Sequence, residues 1–217
     1  MLMRFSILLI ITTLLAPFAK AQEPLVEGTI SYNVYLQPAN GQESLGSQAG
    51  VYTLTVKGNQ VRRELRMNNG YQSIVLYDGK AGSGHILQAT PANKFAIALN
   101  AAEMAKRRVK WEGISYKTKG GTETVGGQSC TPTQALYPNG SVTNMCLSNV
   151  PLAESFIYSR FPGIKTIPLN FDYQLRDGAS IRFQLEKINV GPVETNQFRV
   201  PTDYKVLSSE ELKNVED

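Results

Sequence analysis

The sequence predicts a mainly β (α+β) domain: a curved antiparallel sheet with one or two short helices against it. Three observations carry this. Gly28 to Gln37 alternates apolar and polar residues without a break, turn-forming pairs recur between further alternating runs, and only one interior helix start is fully written.

In the first run Ile30, Tyr32, Val34 and Leu36 face one way, and Thr29, Ser31, Asn33 and Gln37 face the other. Period two of this quality marks a strand with one buried face. Asn40-Gly41 opens a loop rich in Gly, Ser and Gln that runs to Gly50. Val51 to Val56 and Gln60 to Met67 flank Lys57-Gly58-Asn59 and read as a hairpin; in the second arm Val61, Leu65 and Met67 share a face with Arg63. Tyr71 to Tyr77 is the next strand, and His85 to Ala89 pairs with Lys94 to Leu99 around Thr90-Pro91.

Asn100 is placed to cap a helix over Ala101 to Arg108. Glu103 completes a capping box, and Leu99 with Met104 supplies a hydrophobic staple. A second short helix is expected from Pro151 to Arg160, ended by Phe161-Pro162-Gly163. Gly120-Gly121 and Gly126-Gly127 read as turns rather than phosphate loops. The chain returns to strand at Phe171, Tyr173 and Leu175. Asp177-Gly178 turns it, Ile181, Phe183 and Leu185 alternate after it, and Phe198 to Tyr204 closes the domain ahead of a polar tail.

The first 21 residues have the form of a cleaved signal peptide. Arg4 supplies a positive start, Phe5 to Ala16 an apolar stretch, and Ala19-Lys20-Ala21 a small-residue site before Gln22. The apolar stretch is short for a bilayer span, which needs about 20 residues, so no transmembrane segment is expected after cleavage. Residues 22–217 are expected to form one domain, periplasmic or secreted. The chain has 22 basic and 18 acidic residues; Arg4 and Lys20 leave with the signal, so the net charge falls from +4 to +2. That excess is too small and scattered for a nucleic-acid partner. In an oxidising compartment Cys130 and Cys146 are expected to form a disulfide, stabilising by roughly 3 kcal/mol; the alternative is two buried free thiols.

Chemistry-bearing patterns are sparse. His85 is the chain's one histidine and has no second His or CxxC with which to hold a metal. No GxSxG elbow accompanies it, and it reads as a surface histidine at a loop edge. Asp78, Asp177 and Asp203 sit where turns recruit Asp. No cofactor is expected. Lys106-Arg107-Arg108 with Lys110 complements a helix C-terminus as a solvated face; the alternative is contact with anionic headgroups or an acidic partner. Ten Tyr and eight Phe stand against a single Trp, Trp111. These rings either fill the core or line an apolar cavity.

Several segments carry a resemblance. Thr124 to Cys130 (TVGGQSC) resembles the G-x-x-C strand of an uncharacterised family of exported Gram-negative proteins. Glu27 to Tyr32 resembles that family's opening strand, Phe161-Pro162-Gly163 with Pro168-Leu169 its central turn, and Phe198 to Tyr204 its closing F-x-V-P-x-x-Y motif. The family is similar to the LolA/LolB-like lipoprotein-carrier superfamily. The resemblance implies a half-open β-barrel with helices at its mouth and an apolar cavity inside.

The function expected is that of a soluble, non-enzymatic binding protein. It would hold an apolar ligand (acyl chain, lipid or lipoprotein) in the concave sheet, with the short helices as lid. Ile30, Tyr32, Val34 and Leu65 are the candidate cavity residues. The alternative is an envelope protein-interaction or structural module without a small-molecule ligand. A hydrolase, the third reading, requires His85 in a pocket beside a Ser or a carboxylate.

Overall fold

A computed structural model describes residues 23–37, 47–174 and 179–208. The expected signal peptide, most of the Gly/Ser/Gln loop, the Asp177-Gly178 turn and the polar tail lie outside the described residues. The strands are β1 (Glu27–Gln37), β2 (Gln48–Lys57), β3 (Gln60–Met67), β4 (Gln72–Asp78), β5 (Gly84–Ala89) and β6 (Lys94–Leu99). After the helix α1 (Ala101–Arg108) come β7 (Ser115–Thr118), β8 (Glu123–Val125), β9 (Gln128–Leu136), β10 (Val142–Pro151), β11 (Thr166–Gln174), β12 (Ser180–Val190) and β13 (Lys205–Leu207).

They form one large curved sheet in the order β13-β6-β5-β4-β3-β2-β1-β12-β11-β10-β9-β7, with β8 paired to β9. The sheet is mainly β, curled and not closed into a barrel. Most neighbours are sequential antiparallel hairpins, the outcome that short turn-linked alternating runs favour. The long-range join is β1 against β12, registered from Gly28 opposite Val190 to Gln37 opposite Ser180, with one irregularity near Tyr32. β11 and β12 pair as expected, Gln174 lying opposite Ser180. Gly126 and Gly127, both at positive φ, turn β8 into β9.

The concave face holds the main core. Ile30, Tyr32 and Val34 of β1 and Leu54 and Val56 of β2 are fully buried, as the alternation requires. Phe171 is the hub of its aromatic cluster. It stacks on Phe183 at 4.7 Å and meets Tyr32 and Phe161 edge-on at 5.3 and 5.4 Å. Leu36, the last apolar residue of β1's inner row, remains exposed. The convex face of β4–β6 has its own smaller cluster, Ile74, Leu76, Leu87, Ala89 and Ala96, covered by Val200 and Tyr204 of the closing motif. Cys130 and Cys146 are bonded, with a Cα–Cα distance of 5.4 Å, and both are buried.

α1 forms where its caps specify. The Asn100 side chain accepts from the Glu103 N–H, and the Glu103 carboxylate accepts from the Asn100 N–H. The helix expected over Pro151–Arg160 does not form. Pro151 is the last residue of β10, opposite Thr166, and its carbonyl accepts from the Leu25 N–H. The Leu152 N–H is bonded to the Lys165 carbonyl, so these backbone groups are committed to cross-chain pairing. A single 3-10 turn at Ser155–Ile157 follows. From there the segment crosses the concave face and buries Ile157, Tyr158 and Phe161. The mouth thus carries one helix and an irregular strap. Among the described residues no helix is long and apolar enough to cross a membrane.

Candidate ligand-binding cleft

Strand pairing assembles the site. Tyr52 of β2 lies opposite Leu65 of β3, and Arg63 lies between Leu54 on β2 and Val75 on β4. All sit on the inner face, so the alternation that buries Leu54 also carries a guanidinium inward. The strap is fastened over them. Tyr158 is hydrogen-bonded to the Tyr32 hydroxyl, which donates to the Pro168 carbonyl at 2.9 Å; the Tyr116 hydroxyl donates to the Pro162 carbonyl at 3.0 Å. Phe156 meets Tyr77 edge-on at 5.6 Å.

Two adjoining clefts remain beside the strap, and Arg63, Val75, Tyr158, Ser159 and Arg160 line both. One, of about 260 Å³, reaches Tyr52, Leu65, Tyr173 and Phe183. The other, of about 330 Å³, reaches Tyr77, Ile86, Met104 and Trp111 under the end of α1. Their walls are rings and aliphatic chains, and neither is lined by an Asp or Glu.

Five cations face this space: Arg63, Arg107, Arg108, Lys110 and Arg160. None enters an ion pair among the described residues. Arg63 is 6% exposed. Its Nη1 donates to the Phe156 carbonyl at 3.0 Å, its guanidinium carbon lies 5.7 Å from the Tyr77 ring centre, and its Nε is buried without a partner. Burial pushes its pKa below the usual arginine value; arginine nonetheless keeps its charge in proteins. Arg160 lies over Tyr173 at 4.2 Å and Trp111 at 5.4 Å. Arg108 donates to the Tyr77 hydroxyl at 3.1 Å. Burial pushes the Tyr52, Tyr158 and Tyr173 hydroxyls up, so they serve as neutral groups.

Of the four cavity residues expected from the sequence, Leu65 lines a cleft, whereas Ile30, Tyr32 and Val34 have no exposed surface and lie in the packed core. The sequence reading missed Tyr52, Val75, Arg160 and Trp111 as lining residues. Tyr52 and Val75 were signalled by inner-face parity in β2 and β4 and Trp111 by its ring, whereas Arg160 carried no such signal. The basic cluster turns Arg107, Arg108 and Lys110 toward a cleft rather than only to solvent.

His85 stands at the loop edge expected of it, as the second residue of β5, but is not on the open surface. It is a half-buried residue of β5, opposite Leu76 and Ala98, and lines a separate groove of about 710 Å³ with Asp78, Ser83 and Glu103. Asp78 Oδ1 accepts the N–H groups of Lys80 and Ala81, and Glu103 caps α1. No hydrogen bond joins Ser83 to His85 among the described residues. Asp78 and Glu103 thus hold backbone groups of a turn and a helix cap.

No family model matches the chain, and no curated protein matches it. Among solved structures, PNGF-II aligns over 86% of this chain at 8% identity with a TM-score of 0.48, and the chain spans about a third of its length (32%). A LolA superfamily protein, NE2245 from Nitrosomonas europaea, aligns at 11% identity over 83% of this chain and 93% of its own, with a TM-score of 0.37. MucB from a complex with MucA(peri) aligns at 16% identity over 82% of this chain and 57% of its own, with a TM-score of 0.40.

Proposed function

We propose that the chain is a non-enzymatic binding protein of the periplasm or the extracellular space, exported by its first 21 residues. It holds an apolar ligand (an acyl chain, a lipid or the lipid part of a lipoprotein) against the inner face of its sheet. The observation that carries this reading is the pair of ring-lined clefts beside the strap. Small-molecule sites run from about 300 to 1,000 Å³. One cleft lies below that range and the other just inside it, so the two act as one site that a chain-like ligand threads past Tyr158. Leu65 forms part of the wall, and Ile30, Tyr32 and Val34 form the floor beneath it. Apolar burial drives binding at about 25 cal/mol per Å², less the cost of ordering the chain.

Native mass spectrometry with lipid extraction, on protein purified from a bacterial periplasm, tests the reading. An acyl species bound at a fixed ratio is the expected result. An empty spectrum, together with no displacement of an apolar fluorescent probe, would overturn it in favour of the interaction module.

A further inference from the structure

Resting on that binding reading, we infer that the ligand is an amphiphile with an anionic head, a carboxylate or a phosphate, and that Arg63 is the residue that receives it. An apolar site built for a neutral chain has no use for a buried cation. Taking a guanidinium out of water without a counter-charge is costly, and natural folds pair such groups. Here the cation sits at the junction of the two clefts, 6% exposed, with Nε unpartnered and one carbonyl, that of Phe156, as its hydrogen-bond acceptor. The remaining side chains at this junction are neutral or positive. Arg160 and Arg108 stand at the mouth on ring faces, held in place yet unpaired with any acid among the described residues.

The site therefore joins an apolar trough to an uncompensated positive centre. A planar guanidinium fork matches a carboxylate or phosphate edge bidentately, and the rim cations raise the local concentration of anions. A neutral chain would leave that charge unpaired, and a cationic head would be repelled.

Trp111 is the one tryptophan of the chain and lines the cleft, so its emission reports occupancy. The purified protein is titrated below micelle-forming concentrations with dodecanoate, methyl dodecanoate, dodecyltrimethylammonium, acetate and inorganic phosphate. Dodecanoate should bind about tenfold or more tighter than its methyl ester, the scale of one charge-assisted hydrogen bond. Because Arg63 is buried, that ratio should survive at about 1 M salt, where exposed charges are screened beyond about 3 Å.

Arg63→Met should bring the ratio to within about twofold, with a denaturation midpoint no lower than the parent's confirming that it folds. Arg160→Gln, at an exposed position, should reduce dodecanoate affinity by only a few-fold and only at low salt. Equal binding of acid and ester overturns the anionic head while leaving the apolar-ligand reading intact; binding of neither chain overturns both. A response to acetate or phosphate as strong as that to dodecanoate identifies a small-anion site and overturns the amphiphile. A ratio unchanged in Arg63→Met overturns the assignment to Arg63.

Discussion

Tyr158 gives its hydroxyl proton to Tyr32, a residue 126 positions earlier, because the Tyr32 proton is already committed to the Pro168 carbonyl. The strap is thereby tied to the middle of β1 and the start of β11 by two bonds in series, both buried. Burial also holds both phenols well above the ordinary tyrosine pKa, so the relay stays neutral.

The order of donation predicts unequal costs. Tyr158→Phe removes a bond but leaves the Tyr32 donor satisfied, so it should cost about 0.5–1.5 kcal/mol. Tyr32→Phe strands the Tyr158 hydroxyl and the Pro168 carbonyl together and should cost more, about 1–3 kcal/mol. Urea unfolding of the two variants checks the ranking, and equal costs would rule out the direction of the relay.

Gly79 supports the strap by lacking a side chain. A Cβ there would lie 2.5 Å from Phe156 Cε1 and 2.7 Å from Cζ. Gly79→Ala should push the ring off Tyr77 and destabilise by about 1–3 kcal/mol. Gly79→Ala/Phe156→Leu should recover most of that loss relative to Phe156→Leu alone, and a double-mutant cycle measures the coupling.

Arg63 is expected to reduce stability in the unliganded protein. Arg63→Met keeps the aliphatic stem and removes a buried charge without a counter-ion. It should raise the urea midpoint, by about 1 kcal/mol or more in unfolding free energy. A fall of similar size would show that the bond to the Phe156 carbonyl outweighs desolvation.

Glu64 governs part of the acid response. Burial alone would raise its pKa, but bonds from Arg62, Gln72 and Arg66 outweigh burial and hold it below the ordinary value. A carboxyl depressed in the folded state stabilises above its unfolded value of about 4.3. That contribution is lost as pH falls through the lower folded value. Glu64→Gln should therefore flatten the drop in urea midpoint below about pH 4.3, and an unchanged slope would assign the acid response elsewhere.

Local chemistry made the hairpins and α1 legible. The Ile30-Tyr32-Val34 row and the Asn100–Glu103 box are each decided within a few residues. Arg63 was legible as a residue on the face of Val61, Leu65 and Met67. Its surroundings were not, because the Phe156 carbonyl lies 93 positions away and is placed by the strap. The Pro151–Arg160 region misled because Pro at a first turn and apolar helical spacing fit a helix well. Cross-chain partners at Leu25 and Lys165 decided otherwise, and local propensity says nothing of them. Of the expected cavity residues, Leu65 lines a cleft while Ile30, Tyr32 and Val34 lie one layer beneath, because the purest alternation marks the strand buried deepest.

The pairing of β13 with β6 is parallel, Lys205 opposite Phe95 through Leu207 opposite Ile97. An open sheet must end somewhere, and each terminal strand presents unpaired N–H and C=O groups on which another chain can grow. The terminal strand at β6's side is only three residues long, with Lys205 and Val206 exposed, and at the opposite side β7 is four residues carrying Lys117. Short, charged margins of this kind give a neighbouring copy little to extend, so the open sheet is guarded at its edges without being closed.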